Sequence, residues 1–75
     1  MQHRFTAGEL AKLSGLSRQA ILFYDKKGIL KPDYVNPENG YRYYTADQLD
    51  LLDNIAMLKE IGLSLEEIRE FMEQR

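Results

Sequence analysis

Residues 6–28, TAGELAKLSGLSRQAILFYDKKG, decide the fold, because they contain two short helix signals joined by a glycine turn. Thr6 and Glu9 have the spacing of a capping box, in which each side chain bonds the other residue's backbone N–H. Apolar residues follow at helical spacing, which predicts a first helix to about Leu13 and then a tight turn at Gly15.

The second helix signal begins at Ser17, which can cap the helix, and ends near Lys27. Gly28 has the position after a helix that favours left-handed backbone, and Lys26 and Lys27 complement the helix dipole. Two short helices separated by a glycine-containing turn are typical of a helix-turn-helix. Other helical hairpins share this pattern, so DNA binding does not follow from it alone.

A β-hairpin is predicted next, since residues 33–36 (DYVN) and 41–44 (YRYY) have strand composition. The PENG turn at residues 37–40 joins them. A two-stranded hairpin is marginally stable alone and must pack on the helices. A hairpin in this position is a wing.

Two further capping boxes open the last two helices. Thr45 and Gln48 begin a third helix that Gly62 stops, and Ser64 and Glu67 begin a fourth that runs to the end of the chain. The predicted fold class is mainly α with a small β-hairpin: a winged helix-turn-helix of four helices plus a two-stranded wing, forming one domain.

Composition excludes several functions. The 75-residue chain has 44% hydrophobic and 29% charged residues, no cysteine and one histidine, which removes disulfides, thiolate zinc sites, cysteine nucleophiles and histidine triads. Asp47, Asp50 and Asp53 are interpreted as a hydrated helix face. We therefore predict no enzyme activity, metal or cofactor. No apolar run approaches the roughly 18 residues of a membrane span, and we expect a cytoplasmic protein.

Charge differs between the two halves of the chain. Residues 1–45 carry seven basic and four acidic side chains, a net +3, whereas residues 46–75 carry three and eight, a net −5. Such a split indicates that the first half meets a polyanion. Chance is the alternative, since a few residues decide the difference.

The second helix has two stripes of side chains. The stripe expected to pack on the first helix contains Ala20, Ile21, Tyr24 and Lys27. The other contains Arg18, Gln19, Leu22, Phe23 and Lys26. Arginine and glutamine near the start of a recognition helix can bond guanine and adenine edges. Leu22 and Phe23 can contact thymine methyls or, alternatively, belong to the core.

On the hairpin, alternation places Arg42 and Tyr44 on one face and Tyr41 and Tyr43 on the other. An arginine beside tyrosines can bind a phosphate. The alternative is that the tyrosines pack and Arg42 is solvated.

Taken in order, five segments resemble the N-terminal DNA-binding domain of MerR-family transcription regulators. They are FTAGELA (5–11), LS (16–17), FYDKKGILKP (23–32), NGYRYY (39–44) and LKEIGLSLEEI (58–68). The stretch KPDYVNP (31–37), with residues 41–44, is most similar to the multidrug-sensing branch.

The resemblance implies a bacterial regulator whose second helix enters the major groove of promoter DNA, with the hairpin as one wing and residues 62–67 as a second. Such regulators form homodimers and distort DNA so that RNA polymerase can use the promoter when an effector binds. The family's DNA-facing positions map to Ser17, Arg18, Gln19, Phe23, Tyr24, Tyr41, Arg42 and Lys59.

The sequence departs from the family at two points. Leu22 stands where an arginine is usual, and Phe23 lacks the hydroxyl of the usual aromatic, so Arg18 is expected to supply part of the charge. Family members also continue into a dimerising helix and an effector domain.

We therefore expect residues 1–75 to be excised from a longer regulator, with Ile68, Phe71 and Met72 facing a missing partner and the effector bound outside this chain. Two alternatives are a small excisionase-like architectural DNA-binding protein and a helical protein-interaction module.

Overall fold

The computed structural model describes residues 3–74 as four helices and a three-stranded antiparallel sheet. The elements in chain order are β1 (Arg4–Thr6), α1 (Ala7–Ser14), α2 (Arg18–Lys26), β2 (Tyr34–Val35), β3 (Arg42–Thr45), α3 (Ala46–Glu60) and α4 (Leu65–Glu73). The mainly helical fold class, with four helices and a hairpin after α2, is confirmed.

Side-chain caps fix the start of each helix, as the sequence predicts. The Thr6 hydroxyl accepts from the Glu9 N–H at 3.1 Å, and the Glu9 carboxylate accepts from the Thr6 N–H at 2.8 Å. The same reciprocal bonds form at the starts of α3 and α4. Ser17 caps α2 by accepting from the Ala20 N–H. Gly28 after α2 has φ 74°, a left-handed conformation that favours glycine.

The sheet has one strand more than predicted. β1 lies antiparallel to β3 with Phe5 opposite Tyr44, and the sheet order is β1-β3-β2. The sequence did not predict β1, because three residues are too few to show strand periodicity. Its pairing with a distant strand makes it a strand.

The core joins every helix to the wing. Its fully buried large side chains are Leu10, Ile21, Tyr44, Leu52, Ile55 and Ile68. The expectation that Ile68 faces an external partner is therefore wrong, since Ile68 packs inside the domain. Phe71 remains 55% exposed, and Met72 is half-buried.

The described part of the chain contains neither a membrane-spanning helix nor a cluster of metal-binding side chains. Between residues 3 and 74, no helix combines the length and apolar character needed to cross a membrane. Nor do three side chains of the acidic or histidine type come together there in a way that could hold a metal ion.

Candidate nucleic-acid interface

Helix α2 buries one stripe of side chains and exposes the other, except that Lys27, predicted to pack on the first helix, is exposed at the helix end and Leu22 of the other stripe is half-buried. Ile21 and Tyr24 are buried at 0% and 6% exposure, whereas Arg18 and Gln19 are exposed and Phe23 is 41% exposed. The polar first turn is therefore free on the surface.

A cleft lies between α1, α2 and the wing. Its lining includes Ala7 and Gly8 of α1, Arg18 and Leu22 of α2, and Tyr41 and Arg42 at the wing, around a volume of about 290 Å³. The fold therefore brings together three predicted DNA-facing residues, Arg18, Tyr41 and Arg42. Leu22 is half-buried on the wall of this cleft, so it is neither a full core residue nor a free surface residue.

The guanidinium of Arg42 is already engaged with α2. Its Nε donates to a carboxylate oxygen of Asp25 at 2.8 Å, and the side chain is 40% exposed. This ion pair was not among the alternatives drawn from the sequence, a phosphate contact or a solvated arginine, and the phosphate contact stays a prediction. Because guanidinium carries five N–H donors, its terminal amino groups can still meet a second anion.

The wing tyrosines differ in burial, and Tyr41, which precedes β3, lines the same cleft as Arg42 although alternation predicted opposite faces. Tyr44 lies on the Arg42 face and is fully buried, and burial raises its pKa, with a smaller upward effect from Asp25 and an opposing one from Arg42. Tyr43 is half-buried with its ring centroid 6.1 Å from that of Tyr34. Tyr41 is 56% exposed, so it alone of the three is free to meet a ligand.

Tyr24 and Lys59 border a second groove, between α2 and the C-terminal end of α3. Tyr24 is mainly a core residue, and burial raises the pKa of its hydroxyl. Its predicted DNA contact is thereby limited to the edge that borders this groove. Lys59 is exposed there, so the structure places both side chains at one location.

One acidic residue beside the candidate interface, Asp25, was not singled out from the sequence. Asp25 binds Arg42 and also lies 3.6 Å from the Lys31 ammonium. The sequence offered one indication of its role, since Asp25 is the single carboxylate on a helix whose other charged residues are basic. Its partners could not be read from the sequence, because Arg42 is 17 positions away.

Comparison with known proteins identifies the family. Residues 5–75 match the model of the family described as MerR HTH family regulatory protein. The Multidrug-efflux transporter 1 regulator of Bacillus subtilis (strain 168) is 48% identical over 65 residues, which cover 87% of this chain and 23% of that protein. The chain thus spans about a quarter of this relative. Its 48% identity to a multidrug-efflux transporter regulator confirms the predicted likeness to the multidrug-sensing branch.

Solved structures of the same family share the fold. A MerR-family transcriptional regulator from Bacillus cereus has a TM-score of 0.87 and 36% identity, covering 97% of this chain and 54% of that one. HiNmlR, a MerR family regulator lacking the sensor domain and bound to promoter DNA, has a TM-score of 0.82 and 35% identity, covering 95% and 53%. The chain belongs to the MerR family of helix-turn-helix regulatory proteins.

Proposed function

We propose that this domain binds double-stranded promoter DNA for a transcription regulator. The observation that carries the proposal is the convergence of Arg18, Tyr41 and Arg42 around one cleft beside the exposed first turn of α2. An α-helix fits the major groove of B-form DNA, and a flanking wing then lies over the phosphate backbone.

The first turn of α2 supplies the groups that read bases. Arg18 and Gln19 are exposed there, and their side chains can form paired hydrogen bonds with guanine and adenine edges. The Ser17 hydroxyl accepts from the Ala20 N–H and keeps its own proton to donate to a phosphate.

The remaining contacts fall on the sugar–phosphate backbone. Tyr41 and Arg42 approach it from the wing, and Lys59 approaches it from the end of α3, beside the edge of the buried Tyr24 that borders the second groove. Phe23, whose ring lies 5.5 Å from the Lys27 ammonium, supplies an apolar contact. Together these groups position the helix without reading sequence.

Family membership favours a transcription regulator over an excisionase-like architectural protein or a protein-interaction module. We infer that the longer protein acts as a homodimer and distorts its promoter so that RNA polymerase can use it. We also infer that its effector binds outside residues 1–75. HiNmlR, bound to promoter DNA, is one relative that supports this function.

The proposal is tested by comparing two duplexes of equal length and charge, one of DNA and one of RNA, by fluorescence anisotropy. The major groove of A-form RNA is too deep and narrow for an inserted helix, so we expect tighter binding to DNA. Equal binding to both duplexes would show that the interaction is only a general electrostatic attraction to phosphates. Absence of binding at low salt would reject the proposal.

A further inference from the structure

Asp25 joins three separate parts of the domain. Its carboxylate accepts from the Arg42 Nε of the wing at 2.8 Å and lies 3.6 Å from the Lys31 ammonium of the α2–β2 connection. The Asp25 side chain is only 15% exposed, against 40% for Arg42 and 72% for Lys31. The anion is thus shielded, and its two cationic partners reach outward from it.

The same connection is held from its other side by α3. The Gln48 side-chain amide donates to the Lys31 carbonyl at 2.5 Å, while its oxygen accepts from the Thr45 N–H. Since β3 runs from Arg42 directly into the α3 cap at Thr45, the chain of contacts closes back on Asp25. The wing, the connection and α2 therefore form one bonded frame.

We propose that Asp25 is a positioning residue of the DNA interface, fixing the wing and the α2–β2 connection against the recognition helix; the proposal rests on the DNA-binding function proposed above. A carboxylate near phosphates is electrostatically unfavourable. The benefit of Asp25 is therefore geometric, because its ion pair sets where the Arg42 side chain lies when Arg18 enters the major groove of the DNA.

This role predicts two opposite effects of Asp25→Asn. Removing the negative charge and releasing Arg42 and Lys31 strengthens binding to mixed-sequence DNA, and the slope of log affinity against log salt steepens by about 0.9 for one added phosphate contact. Loosening the wing lowers the preference for a selected sequence by about tenfold, comparable with losing one base contact. A residue without a positioning role would not produce the second effect, the loss of sequence preference, in protein that remains folded.

The experiment measures both quantities by fluorescence anisotropy, using a mixed-sequence duplex and the tightest-binding duplex that the wild-type chain selects from a random pool. Asp33→Asn is the matched control, since Asp33, at the end of the α2–β2 connection, also pairs with an arginine, Arg4 of β1 at 3.5 Å, and not with the wing arginine Arg42. The variant Asp33→Asn should strengthen binding to the mixed-sequence duplex and keep the preference for the selected duplex. Amide spectra verify folding, and Asp25→Ala, which removes the acceptor entirely, should lose more of the preference than Asp25→Asn.

Each other outcome rejects a specific statement. If Asp25→Asn keeps its sequence preference, or changes it no more than Asp33→Asn does, the positioning role is wrong while DNA binding stands. If the wild-type chain binds neither duplex at 50 mM salt, the proposed function fails and the positioning role fails with it.

Discussion

Arg42→Ala should remove one phosphate contact and the ion pair that ties the wing to Asp25. One contact contributes about 0.9 to the slope of log affinity against log salt. Raising salt fourfold, from 50 to 200 mM, should therefore weaken wild-type binding about 3.5-fold more than it weakens the variant. The lost phosphate contact should weaken binding equally on all DNA sequences, whereas release of the wing from Asp25 should in addition lower the preference for a selected sequence.

The variant is expected to stay folded. The Arg42–Asp25 pair is 2.8 Å long, but the arginine side chain is 40% exposed, so solvent screening limits its contribution to roughly 0.5–1 kcal/mol. Asp25 keeps Lys31 as a second cationic neighbour. Reduced DNA binding by the variant would then report on the contact and not on unfolding.

Arg69→Ala provides the matched control for this measurement. Arg69 is 43% exposed and pairs with the exposed Glu66 at 3.5 Å within α4, so the change removes the same charge and a weaker ion pair away from the wing. Fluorescence anisotropy with a mixed-sequence duplex gives the slope for each variant. Equal slopes for Arg42→Ala and Arg69→Ala would refute the phosphate contact.

Three further predictions concern stability and base reading. Accepted backbone hydrogen bonds lower the pKa of Glu9 and Glu67 below the usual 4.5, so the stability they contribute is present above pH 4.5 and lost as pH falls through the lowered values. The double variant Glu9→Gln, Glu67→Gln should flatten this acid dependence in urea unfolding, and an unchanged pH profile would contradict the assignment. The buried Tyr44 hydroxyl has no hydrogen-bond partner within residues 3–74, so Tyr44→Phe should leave the free energy of unfolding unchanged or raise it by up to about 1 kcal/mol; a clear loss of stability would show that the hydroxyl is bonded. Arg18→Ala and Gln19→Ala should each change the preference at one base pair by about 1–3 kcal/mol in competition binding, whereas equal losses on all sequences would make them backbone contacts.

Local sequence signals predicted the helices well. The capping boxes at Thr6, Thr45 and Ser64 mark the starts of α1, α3 and α4, because the bonds involved join residues three positions apart. Gly28 and Gly62 mark the turns that end α2 and α3 with φ of 74° and 103°. Such features depend only on nearby residues and are therefore visible in the sequence.

Features that depend on distant pairing were not predictable in the same way. The strand at Arg4–Thr6 exists through its pairing with β3, and the three residues alone carry no strand signal. The contact between Asp25 and Arg42 depends on where the wing folds back on α2. The same long-range packing decides that Tyr24 is buried and Tyr41 exposed, although both are tyrosines in segments that resemble the family.

The central claim is that α2 and the wing together form a DNA-binding face. It is tested most directly by an amide chemical-shift titration of this domain with mixed-sequence duplex DNA at low salt, which tolerates weak binding. We expect shifts clustered at residues 17–27 and 41–44 and reversed by added salt. Absence of shifts, or shifts confined to residues 47–75, would contradict it.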